Sequence, residues 1–476
     1  MNKPWGISFA LLGCVGFTGC AGDVGPALTA SPSHAPLSGY VDVTFTGDVA
    51  SLGDLSSVTL GGVPAYHLRA TATSLTVSVQ GAPRPGPVEL IIEGARGRAV
   101  RHNALTYDAP ASGMPLVWAA FGASLSQGTQ SDGIDEHTQT TGISARLARA
   151  ANVYLPLPVF ADGFAPPLAP TDFNSDCTQK PNTGLKLQQL LDFITDPSTG
   201  LFDLKRARAS WQTESRNFAI GGAKVAETMH GGSGAVGLLE HVVEDPTSDP
   251  GDVIGPVNPS QLERLELLDP DVAFSTDLLA NDLDGAVSES DDLHFDKITD
   301  LTIIKPLLVE MMARLGKLHG QYFIANMPSF SFLPNVVAVK QTRLAAGSDT
   351  EASYQAKIDQ LDQITSDYNA ALADAMRPYA NLHLVDFKAK VDEIKVQGQV
   401  VGGERLTVEK FGGLLSFDDL HFSDTGYALY ANLFVQVLND VLHTSLPVVD
   451  LEAVHATDEA SPARLRALGL TCVPTQ

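Results

Sequence analysis

This chain of 476 residues has few cysteines and, after its N-terminus, no long apolar run. Its 4 cysteines are too few for a disulfide-rich scaffold, and no two of them form a Cys-x-x-Cys pair of the kind that holds zinc. The acidic loops lack the spacing of an EF-hand. We therefore expect no metal site and no cofactor. A transmembrane helix needs roughly 18 or more consecutive apolar residues, and none is present.

Positive charge is also scarce. The chain has 31 Lys and Arg against 55 Asp and Glu, a formal net charge of −24. A field of this sign repels phosphates, so we expect no nucleic-acid partner. Hydrophobic residues make up 44%, which is the usage of a folded protein and excludes wholesale disorder. The length allows about two to four domains of roughly 150 residues each.

The first 20 residues have the pattern of an export signal. Lys3 precedes a short, mostly apolar stretch over 7–17 that is too short to span a bilayer. The stretch ends in Phe17-Thr18-Gly19-Cys20, which resembles a bacterial lipobox. The resemblance implies a signal peptide over 1–19, a tether over 20–27, and a lipid on Cys20 that attaches the protein to a membrane.

Alternatives remain open at this end of the chain. Cys14 follows Leu11-Leu12-Gly13 and is a competing lipidation site, although its use would halve the apolar stretch. An ordinary secreted or uncleaved N-terminus would carry no lipid. Ala21, rather than aspartate, follows Cys20, and resemblance to enterobacterial sorting then implies the outer membrane. The expected location is the bacterial cell envelope.

Two further cysteines remain after the export signal. An oxidising compartment would allow Cys177 and Cys472 to form a disulfide, which would tie the C-terminal tail over 448–476 to a distant loop. The alternative is two unpaired thiols.

Short alternating runs separated by Gly- and Pro-rich turns fill residues 28–108. Period-two alternation with turns every ten or so residues is typical of a β-sandwich. Ser31-Pro32-Ser33, Gly61-Gly62-Val63-Pro64-Ala65 and Pro83-Arg84-Pro85-Gly86-Pro87-Val88 resemble the immunoglobulin-like IPT/TIG family. The resemblance implies an all-β immunoglobulin-like sandwich that acts as a spacer or a binding platform. A short linker over 108–115 follows it.

A candidate nucleophile comes directly after this linker. The apolar run over 116–121 is typical of a buried parallel strand, and Gly122-Ala123-Ser124-Leu125 follows it. Because α/β folds place ligands at the carboxyl ends of such strands, Ser124 is a candidate nucleophile. A turn of glycine and serine after a strand is also common without any function.

An Asp-x-x-His pair near the C-terminus offers a general base. His421 could accept the serine proton, while Asp418 could orient the imidazole and stabilise its charge. The same five letters, Asp-Asp-Leu-His-Phe, also occur over 291–295, ahead of a long amphipathic segment. The aspartates of that copy fit a position near a helix N-terminus. The C-terminal copy fits the last unit of a doubly wound sheet, which favours His421 over His294.

Two segments between these ends offer donors for an oxyanion. Gly222 lies in a glycine-rich turn after a small apolar run, and Asn281 lies in Leu279-Ala280-Asn281-Asp282. Acyl transfer needs N–H groups aimed at the developing negative charge, which a turn glycine and an asparagine amide can supply.

Together the four blocks resemble the SGNH/GDSL hydrolase family, in the order serine, glycine, asparagine, histidine that gives the family its name. The resemblance covers 115–447 and implies a three-layer, doubly wound, flavodoxin-like parallel sheet. It also implies a nucleophile Ser124, a base His421 oriented by Asp418, and an oxyanion hole of Ser124, Gly222 and Asn281. The family motif Gly-Asp-Ser-Leu reads Gly122-Ala123-Ser124-Leu125 in this chain, so Ala123 stands in place of the aspartate. Ala280 replaces a glycine commonly found before the asparagine.

The expected function is therefore that of a lipid-anchored serine esterase or lipase that cleaves carboxylic esters through an acyl-enzyme. Phospholipids, acylglycerols, simple acyl esters and O-acetylated polysaccharides share this chemistry, so a phospholipase or a polysaccharide O-acetylesterase is an alternative. The rival hypothesis belongs to a different functional class. It is a non-catalytic surface binding protein in which the β domain contacts glycan or protein. The presence of all five residues of the four blocks disfavours it.

Overall fold

The computed structural model describes residues 22–181, 183–184, 187–200, 204–209, 215–232, 236, 239, 243 and 259–474. The expected signal peptide, with Cys14 and the lipobox cysteine Cys20, lies outside the described residues. Across the part of the chain that is described, no helix has both the length and the apolar character needed to cross a membrane.

Nine strands form two sheets at the N-terminal end of the described chain. One sheet has the order β1-β3-β7-β6 and is antiparallel, and the other has the order β2-β9-β8-β4-β5, in which only the β2–β9 pair is parallel. The strands are β1 (Leu28–Ser31), β2 (His34–Ala35), β3 (Val41–Gly47), β4 (Leu55–Leu60), β5 (Val63–Pro64), β6 (Tyr66–Ala70), β7 (Ser74–Val79), β8 (Gly86–Gly94) and β9 (Gly97–Tyr107).

Alternation of side chains explains how these sheets share a core. In β3, Val43 and Phe45 are fully buried, whereas Asp42 and Thr44 point the other way. Leu75 and Val77 of β7 and Leu90 and Ile92 of β8 are buried in the same cluster. Residues from both sheets therefore enclose one apolar core.

A separate parallel sheet begins after the linker. It contains β10 (Trp118–Ala120), β11 (Val272–Ser275), β12 (Gln321–Ala325) and β13 (Leu382–Val385), in that order, with every pair parallel. A single parallel bridge joins Ala120 to Asn217, so the segment at 217 lies on the outer side of β10. Because all neighbours run in the same direction, the carboxyl ends of these strands meet at one edge.

Helices connect and cover these strands. α3 packs on α12, while α5 packs on α6 and α8, and α8 packs on α10. The helices are α1 (Ser124–Gln127), α2 (Glu136–Thr141), α3 (Ile143–Ala151), α4 (Leu187–Ile194), α5 (Val225–His230), α6 (Gln261–Leu268), α7 (Ala280–Leu283), α8 (Leu301–Leu315), α9 (Pro334–Ala345), α10 (Glu351–Met376), α11 (Phe387–Gln397), α12 (Asp424–Leu442), α13 (Leu451–His455) and α14 (Pro462–Ala467). A short hairpin, β14 (Gln399–Val401) and β15 (Glu404–Leu406), follows α11.

A serine cap and a close backbone approach explain why α12 begins where it does. The Ser423 hydroxyl accepts a hydrogen bond from the Gly426 backbone N–H at 3.1 Å, and so caps the first turn. A side chain at Gly426 would meet the Leu414 carbonyl, because an added Cβ there would lie only 2.2 Å from that oxygen. The glycine therefore lets the helix approach the loop that carries Asp418 and His421.

The N-terminal sheets contact the second region through polar groups. The Tyr66 hydroxyl donates to the Glu136 carboxylate of α2 at 3.0 Å, and the His67 imidazole contacts the same carboxylate. The Tyr40 hydroxyl accepts from the Leu157 backbone N–H at 2.5 Å. Burial raises the pKa of Tyr40, so this hydroxyl stays protonated at neutral pH.

The C-terminal tail folds back onto the chain. Cys177 and Cys472 form a disulfide, with their Cα atoms 6.1 Å apart. The disulfide lies in an apolar cluster that also contains Phe173, Phe411 and Phe417. Phe417 immediately precedes Asp418, so the tail and the disulfide pack against the start of the loop that carries the Asp-x-x-His pair.

Candidate active site

Ser124 is the first residue of α1, four residues beyond the end of β10. It is half-buried, whereas its neighbours on both sides are buried. Gly122 makes the turn possible because its φ of +118° lies in the region that favours glycine. An added Cβ at Gly122 would lie 2.5 Å from the Ser275 hydroxyl and 2.8 Å from the Asp277 carboxylate, so there is no room for a side chain.

A buried carboxylate holds this turn in place. Asp277, fully buried, accepts from the backbone N–H of Ala123 at 3.0 Å and of Leu125 at 2.6 Å, and from the Ser126 hydroxyl at 2.8 Å. The Gln261 side chain adds a pair of hydrogen bonds with Gly122, one to its N–H at 2.9 Å and one to its carbonyl at 3.1 Å. The two residues on either side of Ser124 are therefore fixed through their backbone.

Sequence reasoning missed both Asp277 and Gln261. The resemblance had pointed only to the loss of an aspartate at position 123, where Ala123 stands. The structure supplies a carboxylate to the same turn from Asp277, two residues past the end of β11. A signal was available, because an aspartate directly after a buried parallel strand lies at the edge where the other site residues meet.

His421 and Asp418 form a hydrogen-bonded pair. The Nδ1 atom of His421 lies 2.7 Å from Oδ2 of Asp418, and only 12% and 9% of the two side chains are exposed. The Asp418 carboxylate also accepts from three backbone N–H groups, those of Asp132 at 2.6 Å, Leu420 at 3.0 Å and His421 at 2.8 Å. The backbone therefore holds in place the carboxylate that orients the imidazole.

The pKa values of the two side chains are shifted in opposite directions. Burial of His421 disfavours its charged form, but the negative charge of Asp418 and their hydrogen bond outweigh this effect and raise the pKa of His421. Burial likewise opposes ionisation of Asp418, yet His421 and the backbone N–H groups hold the pKa of that carboxyl well below its usual range. Asp418 is therefore a carboxylate at any pH at which the protein would be assayed.

The second Asp-Asp-Leu-His copy has a different arrangement. His294 uses Nε2, rather than Nδ1, to contact Asp291 at 2.9 Å and Glu289 at 3.2 Å. Asp292 binds the Lys357 ammonium at 2.8 Å and the Arg343 guanidinium at 3.1 Å. This copy is thus part of a network of ion pairs on the surface.

Glu289, Asp291 and His294 also form the one group of three potential metal ligands in the described part of the chain. The Lys297 ammonium already contacts Glu289, so a cation bound there would meet a like charge. The expected absence of a metal stays a prediction.

One cavity brings the candidate residues together. Ser124, Asn281 and His421 all line a pocket with about 460 Å³ of empty space, including its open mouth. Asp284 also lines it. The remaining lining residues are mostly apolar: Leu125, Ala280, Met327, Pro328, Phe330, Phe332, Leu333, Phe387, Leu420 and Phe422.

Gly222 lies near this cavity without lining it. Its φ of +86° places it in a turn, and the preceding Gly221 donates its N–H to the Gln127 side chain at 2.8 Å. An added Cβ at Gly221 would lie 3.8 Å from the Ser124 Cβ. The Asn281 amide donates to the Ala223 carbonyl at 3.0 Å, so the asparagine and the glycine turn are tied together. The structure brings Ser124, Asn281, Asp418 and His421 to one place, and Gly222 to its border.

Comparison with known proteins adds little. No known protein family and no curated protein matches this chain. Two structures of the plexin A4 extracellular region are similar to 18% and 21% of this chain, at 20% and 18% identity and a TM-score of 0.16, and this chain spans 9% of their length. Protein YxiM of Bacillus subtilis is similar over 85% of this chain and 79% of its own, at 16% identity and a TM-score of 0.26. None of these likenesses carries an argument about fold or function.

We predict that Asp277→Asn lowers the turnover of any substrate that Ser124 attacks. An amide replaces one acceptor oxygen by a donor, and each buried N–H left without an acceptor costs about 1–3 kcal/mol. The turn should shift, and kcat should fall by roughly 10-fold or more while KM changes little. Steady-state kinetics and thermal unfolding of both proteins measure the two effects separately.

Asp458→Asn is the matched control. Asp458 is also buried and accepts from the Thr425 and Ala460 N–H groups at 2.8 Å each. It follows α13 and holds the first turn of α12, and none of its hydrogen bonds reaches the Ser124 turn. Both variants should lose stability, and only Asp277→Asn should lose turnover. Equal loss of kcat in the two variants would contradict a positioning role for Asp277.

Proposed function

We propose that this protein is a serine hydrolase of the SGNH/GDSL type that cleaves carboxylic esters through an acyl-enzyme. One observation carries the proposal: Ser124 and His421 line the same cavity, and the Nδ1 atom of His421 is held by Asp418. That hydrogen bond leaves Nε2 as the nitrogen that can accept a proton in the cavity. A serine, a histidine oriented by a carboxylate, and amide donors nearby are the components of acyl transfer.

The chemistry follows from these positions. The Ser124 hydroxyl attacks the ester carbonyl while its proton passes to Nε2 of His421, and Asp418 stabilises the imidazolium. The backbone N–H of Ser124, the Asn281 amide and the Gly222 N–H are the proposed donors to the oxyanion. Collapse of the tetrahedral intermediate expels the alcohol, which takes the proton from His421. Water then repeats the sequence on the acyl-enzyme, releasing the acid and restoring Ser124.

The proposed fold class has support from the sheets. Numbered along the chain, the five parallel segments are β10, the segment at 217, β11, β12 and β13. In space they lie in the order 2-1-3-4-5, which is the flavodoxin-like order of doubly wound folds. Two sheets enclosing one apolar core support the proposal of an N-terminal immunoglobulin-like sandwich of the IPT/TIG type.

The cavity wall favours one group of substrates within this class. Phe330, Phe332, Phe387 and Phe422, with Met327, give an acyl chain apolar surface to bury. An acetyl group on a polysaccharide would leave most of this surface unused. We therefore favour esters with a longer acyl or alcohol part over O-acetylated polysaccharide.

We predict that Ser124→Ala abolishes ester hydrolysis and leaves the fold intact, because only one hydroxyl is removed. A group of this kind carries on the order of 10⁴-fold or more in rate. His421→Ala should be equally inactive, and a panel of p-nitrophenyl esters of graded acyl length measures both. His294→Ala is the matched control, since it removes the same side chain from the same five-letter motif. Activity of Ser124→Ala within tenfold of the parent, or an inactive but folded His294→Ala, would contradict the assignment.

We predict a pH dependence from the charge of His421. The imidazole must be neutral to accept the serine proton, and its pKa is raised above the usual 6.5 by Asp418, with Asp277 and Asp132 acting in the same direction. The value of kcat/KM should therefore fall as the pH drops, with an acid limb centred above 6.5. Asp418→Asn removes the largest favourable charge, so the limb should move to lower pH, with a smaller loss of rate than in His421→Ala. A limb that stays in place in Asp418→Asn would contradict this account.

We also propose that the exported protein is attached through a lipid on Cys20 to the bacterial outer membrane. The lipobox-like Phe17-Thr18-Gly19-Cys20 supports this proposal. Cys20→Ser should release the protein from the membrane fraction or block its processing. Unchanged fractionation, with an unmodified Cys20 peptide by mass spectrometry, would contradict it.

A further inference from the structure

Asp284 is an acidic residue of the cavity that the proposed chemistry does not use. The chain leaves α7 at Leu283 and enters a short 3₁₀ turn that begins at Asp284, three residues after Asn281. Asp284 lines the same cavity as Ser124, Asn281 and His421. Apart from His421, it is the one titratable side chain among the residues that line this pocket.

The carboxyl of Asp284 lacks a partner of opposite charge. No ion pair to it occurs among the described residues. The charges of Lys224 and His421 both act to lower its pKa, but the Lys224 ammonium donates to the Thr299 hydroxyl at 3.2 Å. Burial raises the pKa of Asp284 to about 6, and neighbouring Asp282 acts in the same direction. A half-buried carboxylate of this kind gains from any cation that enters the cavity.

Aromatic rings line the cavity with this carboxyl. Phe330, Phe332, Phe387 and Phe422 all contribute to the wall. The faces of aromatic rings carry partial negative charge and attract cations, and quaternary ammonium groups are bound in this way by aromatic residues. A carboxylate and several rings together favour an organic cation, whose methyl groups bury apolar surface while its charge pairs with the acid.

The electrostatics of the surroundings act in the same direction. Asp277 and Asp418 do not line the cavity, but they lie close enough to His421 for their charges to favour its protonated form. The whole chain carries a formal net charge of −24. An anionic substrate is repelled at this site, and a cationic one is attracted.

We infer that this cavity takes carboxylic esters that carry an ammonium group, with Asp284 and the surrounding phenylalanine rings as its binding site. The inference rests on the proposed ester hydrolysis at Ser124 and adds to it the class of substrate. Hydrolysis of such an ester, for example butyrylcholine, consumes one water and yields choline and butyric acid. No further co-reactant is needed.

Pairs of esters that differ only in charge test the inference. Butyrylcholine is compared with 3,3-dimethylbutyl butyrate, in which carbon replaces the nitrogen of the alcohol. Ethyl 4-(trimethylammonio)butanoate is compared with ethyl 5,5-dimethylhexanoate, in which the same replacement is made on the acyl side. We expect kcat/KM for the cationic member of at least one pair to exceed that of its neutral isostere by about 10-fold or more. The pair that shows the preference identifies the side of the ester that faces Asp284.

Two variants test whether Asp284 causes the preference for the cationic ester. Asp284→Asn keeps the size of the side chain and removes its charge, and it should bring the ratio within each pair close to one. Asp296→Asn is the matched control, because Asp296 is exposed and lies outside the cavity, and it should keep the ratio of the parent. A ratio near one in the parent for both pairs, or a preference that survives Asp284→Asn, would overturn the inference.

Binding separates this inference from the proposed function. Calorimetry with choline should show binding to the parent and to Ser124→Ala, with affinity at least 10-fold weaker in Asp284→Asn. If the parent hydrolyses none of the four esters, neutral or cationic, faster than Ser124→Ala does, the proposed function is wrong. If it hydrolyses the neutral esters but shows neither a charge preference nor choline binding, only the inference about Asp284 is wrong.

Discussion

Parallel pairing of four short buried strands is the constraint on which the candidate site depends. Since β10 to β13 run in one direction, each strand delivers the residues that follow it to the same edge of the sheet. Ser124 follows β10, Asn281 follows β11, Met327 follows β12 and Phe387 follows β13, and all four line one cavity. Residues separated by up to 263 positions in the chain become neighbours because the strands before them are hydrogen-bonded (387 − 124 = 263).

Three aspartates near this edge differ in what surrounds them. Asp418 accepts from three backbone N–H groups and faces His421, so its pKa is lowered. Asp277 also accepts from backbone N–H groups, but full burial outweighs them and raises its pKa. The pKa of Asp284 is raised to about 6, mainly by burial and also by the charge of Asp282. One residue type can therefore orient a base, hold a turn, or offer a charge to a ligand, depending on its partners.

The loop that carries Asp418 and His421 is supported from several directions. The Asp132 N–H donates to the Asp418 carboxylate, and Asp132 lies just ahead of α2, whose Glu136 contacts Tyr66 and His67 of the N-terminal sheets. Phe417 packs in the apolar cluster that contains the Cys177–Cys472 disulfide. The β domain and the C-terminal tail are thus both connected to the loop that carries the proposed base, through residues that do not themselves line the cavity.

The sequence by itself determined the local features. The alternation over 74–79 predicted β7, and the continuous apolar run before Gly122 predicted the region of β10. Both patterns are informative because side-chain period and burial follow directly from residue type. The Asp-x-x-His spacing allowed Asp418 and His421 to share one loop, and the structure pairs them. The sequence favoured the C-terminal Asp-Asp-Leu-His copy, but only the tertiary structure shows how the two copies differ. His421 pairs through Nδ1 and lines the cavity with Ser124, whereas His294 pairs through Nε2. Asp277, Gln261 and Asp284 likewise needed the folded chain. Their roles come from burial and from partners more than a hundred residues away, or from a shared cavity, and no local pattern encodes these.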